Sequence, residues 1–243
     1  MSQRDTQGGP GTFSAKRLLP LLVMVGGFIT FLWLGLDQYL SFQALKDNRN
    51  LLLAWRDENY LMATLTFVGV YAFLSGLSVP VGLWMTLVGG FLFGTVAGGF
   101  LSLAGASVGA TMVFLAARYA FADALRAKCG TAVVKMEAGF KENQLNYMLV
   151  LRLVPLFPFW LVNLVPAFLN VSLRVYILGT CFGMIPGALV YASVGNGLGR
   201  VFEAGGEPDL GLIFAPEILI PIIGLAVLAL IPVIYKKFIK SKS

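Results

Sequence analysis

One cation, Arg152, stands in the middle of an otherwise apolar stretch, LNYMLVLRLVPLFPFWLVNLVPAFL (residues 145–169). At the centre of a bilayer such a charge costs about 2.5–3.5 kcal/mol on insertion scales, so an arginine held there needs a partner. Its planar guanidinium matches a phosphate through two parallel hydrogen bonds, which makes a lipid phosphate one natural partner. Carbonyls freed by a broken helix are another, and the sequence leaves both open. Asn163 lies in the same stretch, and Thr86 lies in a second interrupted apolar stretch. Each can either cap irregular backbone or line a polar path beside Arg152. Arg118 closes a glycine-rich apolar run, where it can snorkel towards water or touch a headgroup.

Other chemistries lack their residues. The chain has no histidine, which removes the usual general base, proton shuttle and zinc ligand together. Cys129 sits in a basic stretch and Cys181 in an apolar one. Neither has metal-ligand neighbours, so no disulfide, metal site or cofactor is expected. Between Glu58 and Asp123 there is no Asp or Glu. The run GGFLFG (89–94) lacks the Lys-Ser/Thr pair of a phosphate loop. An enzyme is therefore not expected. Of 243 residues, 58% are hydrophobic and 12% charged, against about 25% charged in soluble domains. The net charge of +6 comes from cations that flank apolar runs, which suits membrane orientation rather than nucleic acid.

Elements that could hold these side chains follow from punctuation. Residues 1–15 read as a disordered tail. Lys16 and Arg17 precede an apolar run, Leu18 to Leu36, read as a retained membrane helix. Residues 37–60 read as an amphipathic interfacial helix, which with the first helix makes a unit at 16–60. Residues 61–96 are apolar but broken by Ser75, Gly76, Ser78, Pro80, Gly82, Gly89, Gly90 and Gly94. A broken helix or re-entrant hairpin fits such a pattern. A glycine-rich spanning helix is expected at 97–119, with small residues every four positions from Gly90 to Ala110, among them Gly94 and Gly98. Gly105 and Gly109 widen that packing face. Residues 120–144 read as a cytoplasmic amphipathic helix lying on the membrane. Residues 145–169 carry Pro155, Pro158 and Pro166, which preclude a regular helix, and form a second re-entrant candidate. A spanning helix at about 172–199, interrupted by Gly183, Pro186 and Gly187, completes a core at 61–200. A polar loop, a last helix at about 212–235 and a basic tail occupy 201–243.

Charge counting sets the orientation. With both termini cytoplasmic and the hairpins entering from opposite sides, thirteen of the 18 Lys and Arg residues fall inside. Lys46, Arg49, Arg56 and Arg200 fall outside and Arg152 lies within the membrane, the bias of the positive-inside rule. The fold class expected is all-α, a polytopic membrane protein with transmembrane helices, two opposed re-entrant hairpins and amphipathic interfacial helices. A bacterial inner membrane is the expected home, with an organellar or endomembrane one left open.

The stretch VPVGLWMTLVGGFLFGTVAGGFLSLAGASVGATMVFLAARY (79–119), followed by LRLVPLFPFWLVNLVPAFLNVS (151–172), resembles the DedA superfamily of VTT-domain, or SNARE-associated, membrane proteins. The nearest branch looks like the Tvp-type, Golgi-vesicle-protein-like one. The resemblance covers roughly residues 65–200. Its most specific element is Arg-x-x-Pro-x-x-Pro-Phe-x-x-x-Asn, Arg152 to Asn163. It implies two re-entrant hairpins meeting at the membrane centre, and movement of phospholipid or polyprenyl phosphate across the bilayer by a scramblase or flippase. The partners expected are membrane lipids with anionic headgroups, and a homo-oligomer is compatible with this picture. The DedA branch proper carries acidic residues in its first hairpin and a second arginine in its second. This chain has neither, so proton coupling is not expected. Two alternatives remain open: a secondary transporter of a small anion or ion, and a membrane scaffold.

Overall fold

The computed structural model describes residues 15–141, 143–154 and 157–203, with Ile220, Ile223, Gly224 and Val227 beyond them. Within these residues the chain is helical, without strands. Helix α1 runs Ala15–Trp33 and stops short of Leu36, because the chain turns at Gly35, whose φ is +63°. The segment expected as one amphipathic helix is instead a 3-10 turn at Leu36–Tyr39 and two short helices, α2 (Phe42–Asp47) and α3 (Arg49–Glu58). Ser41 caps α2, its Oγ accepting from the Ala44 amide at 3.2 Å; side chains of this type favour caps over helix interiors. These helices pack against both ends of a later one. Phe42 meets Trp84 edge-on at 4.8 Å, and Arg56 donates to the Leu92 carbonyl.

The break expected in the first interrupted stretch is present, between α4 (Tyr60–Gly76) and α5 (Gly82–Phe93), as a helical hairpin whose turn at 77–81 contains Pro80. Proline withholds an amide and disfavours helix in the residue before it, which is why the break falls there. The hairpin returns to its starting level: Tyr60 opening α4 meets Phe93 closing α5, ring centroids 5.9 Å apart. Gly94 then turns the chain at φ +79°, a conformation costly for any other residue. Helix α6 follows over Thr95–Lys141. The sequence reading ends this helix at Arg118-Tyr119. The backbone continues because residues 120–141 include six Ala and three Lys, good helix formers, and contain no proline. Rising polarity marks the end of the apolar span, not of the helix.

The second hairpin repeats the pattern: α7 (Gln144–Leu153), a break, α8 (Phe159–Phe168), then α9 (Leu173–Glu203). Its ends also meet, the Ser172 amide donating to Gln144 Oε1 at 3.3 Å. Two proline expectations need correction. Pro166 lies inside α8 and is buried, so only the Pro158 end of the stretch interrupts the helix; Pro155 falls outside the described residues. Pro186 lies inside α9, which runs on without a break. The expected disordered tail at 1–15 (all but Ala15), the polar loop, the last helix at 212–235 (but for its four described residues) and the basic tail also fall outside them.

Parts α4–α5–α6 and α7–α8–α9 pack as an inverted pair. Helices α6 and α9 lie antiparallel: Tyr176 reaches the Ala110 carbonyl and Cys181 reaches Ser107. Each hairpin sends its returning helix across to the other long helix, α5 onto α9 and α8 onto α6. Glycine permits the close approaches. A Cβ on Gly105 would sit 2.8 Å from Tyr71 Cβ, and one on Gly109 2.6 Å from the Ala72 carbonyl. A Cβ on Gly98 would collide with the Gly89 carbonyl. Gly94 departs from the expected packing face, since it makes the turn instead. Gly98→Ala is thus expected to destabilise the bundle by about 1–3 kcal/mol, read as a lower unfolding midpoint in detergent. Gly69→Ala, whose Cβ position is open, should leave that midpoint unchanged or raise it, since alanine is the better helix former.

Over Thr95–Ala120 and Leu173–Gly199, α6 and α9 are each long and apolar enough to cross a membrane. At 1.5 Å per residue each stretch is about 40 Å long, against about 30 Å of hydrocarbon. Helices α3 and α4 pass the same test only as a pair, bent by 119°.

Candidate functional site

The two hairpin tips and the two long helices line a half-open cavity of about 370 Å³. Most of its wall is apolar, including Leu83, Leu103, Phe157 and Met184. Its polar groups come from opposite hairpins. Tyr71 and Thr86 face it from the first, Arg152 from the second, and Ser102 and Tyr191 from α6 and α9.

Arg152 sits in the last turn of α7, where its Cβ rests in the space left by Gly183 of α9. Its guanidinium is held from behind by neutral acceptors. Nη2 donates to Asn163 Oδ1 at 2.8 Å, to the Tyr176 hydroxyl at 2.9 Å and to Thr180 Oγ1 at 3.0 Å. The backbone reading of Arg152 is thereby replaced: its bonds go to side chains on α8 and α9, not to carbonyls of its own hairpin. Tyr176 is fully buried, stacks on Phe114 at 4.1 Å, and also bonds Asn163 Oδ1 at 2.8 Å. None of these groups is anionic, and no Asp or Glu occurs between Glu142 and Glu203. Arg152 Nε is buried without a partner, and so is Asn163 Nδ2. A desolvated charge lacking both counter-ion and a full set of acceptors is costly.

Other expected site residues are placed less uniformly. Thr86 lines the cavity, where it shares the Gly82 carbonyl with Tyr71: Thr86 Oγ1 at 2.7 Å, Tyr71 at 2.8 Å. Pro80 and Gly82 form the neighbouring wall. Asn163 stands behind Arg152 rather than in the wall, and Pro158 precedes the first turn of α8. Arg118 is elsewhere. It ties the α8–α9 turn, donating to the Val171 carbonyl at 3.2 Å and Asn170 Oδ1 at 3.0 Å, and lies over the Phe114 ring. Sequence reading missed Tyr71, Ser102, Tyr176 and Thr180. The available signal was a tyrosine inside an apolar helix, since a buried phenol needs a partner.

The inverted pairing extends to the side chains. Thr86 and Asn163 occupy the same position in their helices, four residues beyond Gly82 and Phe159. Tyr71 and Arg152 each lean a Cβ against a glycine of the following long helix, Gly105 and Gly183. One hairpin thus presents a hydroxyl pair where the other presents a guanidinium and an amide.

A family profile described as VTT domain matches residues 79–197, which contain both hairpin tips and every cavity residue but Tyr71. This is a VTT-domain membrane protein. Its VTT domain has relatives named as transmembrane proteins. The Transmembrane protein 41 homolog of Dictyostelium discoideum is 26% identical over 82% of this chain and 59% of its own length. Human Transmembrane protein 41B is 26% identical over 77% of this chain and 64% of its own. The Caenorhabditis elegans Transmembrane protein 41 homolog is 25% identical over 77% of this chain and 75% of its own. The chain thus spans about three-fifths of the length of the first two. No solved structure matches it. Together with the apolar spans of α6 and α9, these likenesses make the VTT protein an integral membrane protein.

Proposed function

We propose that this protein moves lipids between the leaflets of its membrane, with the headgroup passing through the cavity and the acyl chains remaining in the bilayer. The observation that carries the reading is Arg152: a half-buried arginine in a cavity wall, its guanidinium backed only by neutral groups. A headgroup cannot cross about 30 Å of hydrocarbon without polar company. Two hairpins that enter from opposite leaflets as re-entrant elements would shorten that barrier from both sides. Arg152 would take the phosphate, which favours anionic headgroups. With no carboxylate along the path, movement runs downhill rather than against a proton gradient. Cytoplasmic termini belong to the same reading, supported by the distribution of Lys and Arg, and a bacterial inner membrane is the home proposed with it.

The test is reconstitution of the full chain into vesicles carrying acyl-labelled lipid, with label accessibility followed over time. Faster exposure of inner-leaflet label than in protein-free vesicles is expected. Label that stays put while radiolabelled phosphate enters would favour a small-anion transporter instead.

A further inference from the structure

Ser102 carries the one cavity hydroxyl that is buried with no hydrogen-bond partner among the described residues. Its side chain is 1% exposed. A serine in a helix ordinarily bonds the carbonyl four residues back, and a buried hydroxyl left unpaired is unfavourable. Ser102 Oγ faces α5 at Gly89, whose missing side chain makes room for it: a Cβ there would come within 2.5 Å of the hydroxyl. Tyr71 and Thr86, 3.0 Å apart, share the same cavity. Both direct protons at the Gly82 carbonyl, which leaves hydroxyl lone pairs free to accept. The cavity therefore has two chemically distinct ends, a cation from the second hairpin and a cluster of uncharged hydroxyls from the first hairpin and α6.

We propose that Tyr71, Thr86 and Ser102 form an uncharged subsite for the hydroxyl-bearing alcohol of a phosphodiester headgroup whose phosphate lies on Arg152. The inference rests on the lipid-transport reading and adds the class of headgroup to it. A hydroxyl can donate to Tyr71 or Thr86 and exchange both roles with Ser102. An ammonium would meet neutral acceptors alone, since the wall holds no carboxylate. A glycerol phosphodiester fits both ends, whereas a phosphodiester capped by methyl leaves the hydroxyl end unpaired.

The experiment uses the full chain in phosphatidylcholine vesicles with acyl-labelled phosphatidylglycerol or phosphatidylmethanol, two phosphodiesters of equal charge. The wild type is expected to move phosphatidylglycerol about tenfold faster, the worth of one or two neutral hydrogen bonds. Ser102→Ala should bring the ratio of the two rates close to one. Its unfolding midpoint should equal or exceed that of the wild type, because the hydroxyl has no protein partner to lose. Tyr71→Phe should lower the same ratio. Equal rates in the wild type, or an unchanged ratio in Ser102→Ala, would overturn the subsite. If neither lipid moves faster than in protein-free vesicles, the lipid-transport reading itself fails. If radiolabelled glycerol 3-phosphate enters while both lipids stay in place, the hydroxyl end serves a soluble ester and the headgroup assignment is wrong.

Discussion

Arg152→Gln is expected to slow anionic lipid movement about a hundredfold, the equivalent of losing about 2–3 kcal/mol of charge-assisted hydrogen bonding to a phosphate. Glutamine can still donate to Asn163, Tyr176 or Thr180, so the packing behind the side chain has a substitute. What it cannot supply is the charge. The same change should leave the unfolding midpoint in detergent unaltered or higher, since the native cation, half-buried, has neutral acceptors only. Falling transport with holding stability is the signature of a group kept for its ligand. A structural arginine would give the reverse, a lower midpoint with transport reduced only in proportion to the protein lost. Arg152→Lys should fall between the two, because it keeps the charge but not the planar fork. Wild-type rates in the glutamine variant would end the proposal.

Much of this arrangement was legible in the sequence, and the reasons differ by element. Both hairpins could be read because their breaks are written in residues with restricted or missing backbone options, Pro80 and Gly82 in one and Pro158 in the other. Arg152 could be read because a charge in an apolar run stands out against its surroundings. The extension of α6 to Lys141 could not, because polarity reports where a helix leaves hydrocarbon and says little about where its hydrogen bonds stop. Pro166 and Pro186 misled for the opposite reason. Proline withholds one amide, and within a packed bundle neighbouring groups can absorb that loss, so the helix continues. The acceptors of Arg152 were hidden by distance along the chain. Tyr176 and Thr180 lie 24 and 28 residues from it and reach it only because Gly183 lets α7 settle against α9. Arg118, which closes an apolar run where Arg152 stands inside one, proves to be a tie for the α8–α9 turn. Residue type alone did not separate these two arginines; their acceptors did.

Asn163→Asp sharpens that distinction, because it changes charge with almost no change of shape. Asn163 Oδ1 already accepts from Arg152 at 2.8 Å and from Tyr176 at 2.8 Å. A carboxylate in the same place keeps both bonds and adds a counter-ion in direct contact. At an effective dielectric near 20, two unit charges about 4 Å apart attract by about 4 kcal/mol. A phosphate would have to compete with that internal partner and also meet its repulsion. Anionic lipid movement should therefore drop by about a hundredfold or more, at two decades for each 2.7 kcal/mol. The fold should persist, since a paired cation replaces an unpaired one. Asn163→Ala supplies the contrast. It removes one of three acceptors and no charge, and leaves Tyr176 and Thr180 in place. A loss nearer tenfold is expected there, about 1.4 kcal/mol from a less firmly held guanidinium. The order of the two variants decides the matter. If aspartate is the milder change, Asn163 matters as a hydrogen-bonding shape, and the charge of Arg152 is not what the passing headgroup uses. If aspartate is the harsher one, with Arg152→Gln no more damaging, then free positive charge in the cavity is the property on which transport depends.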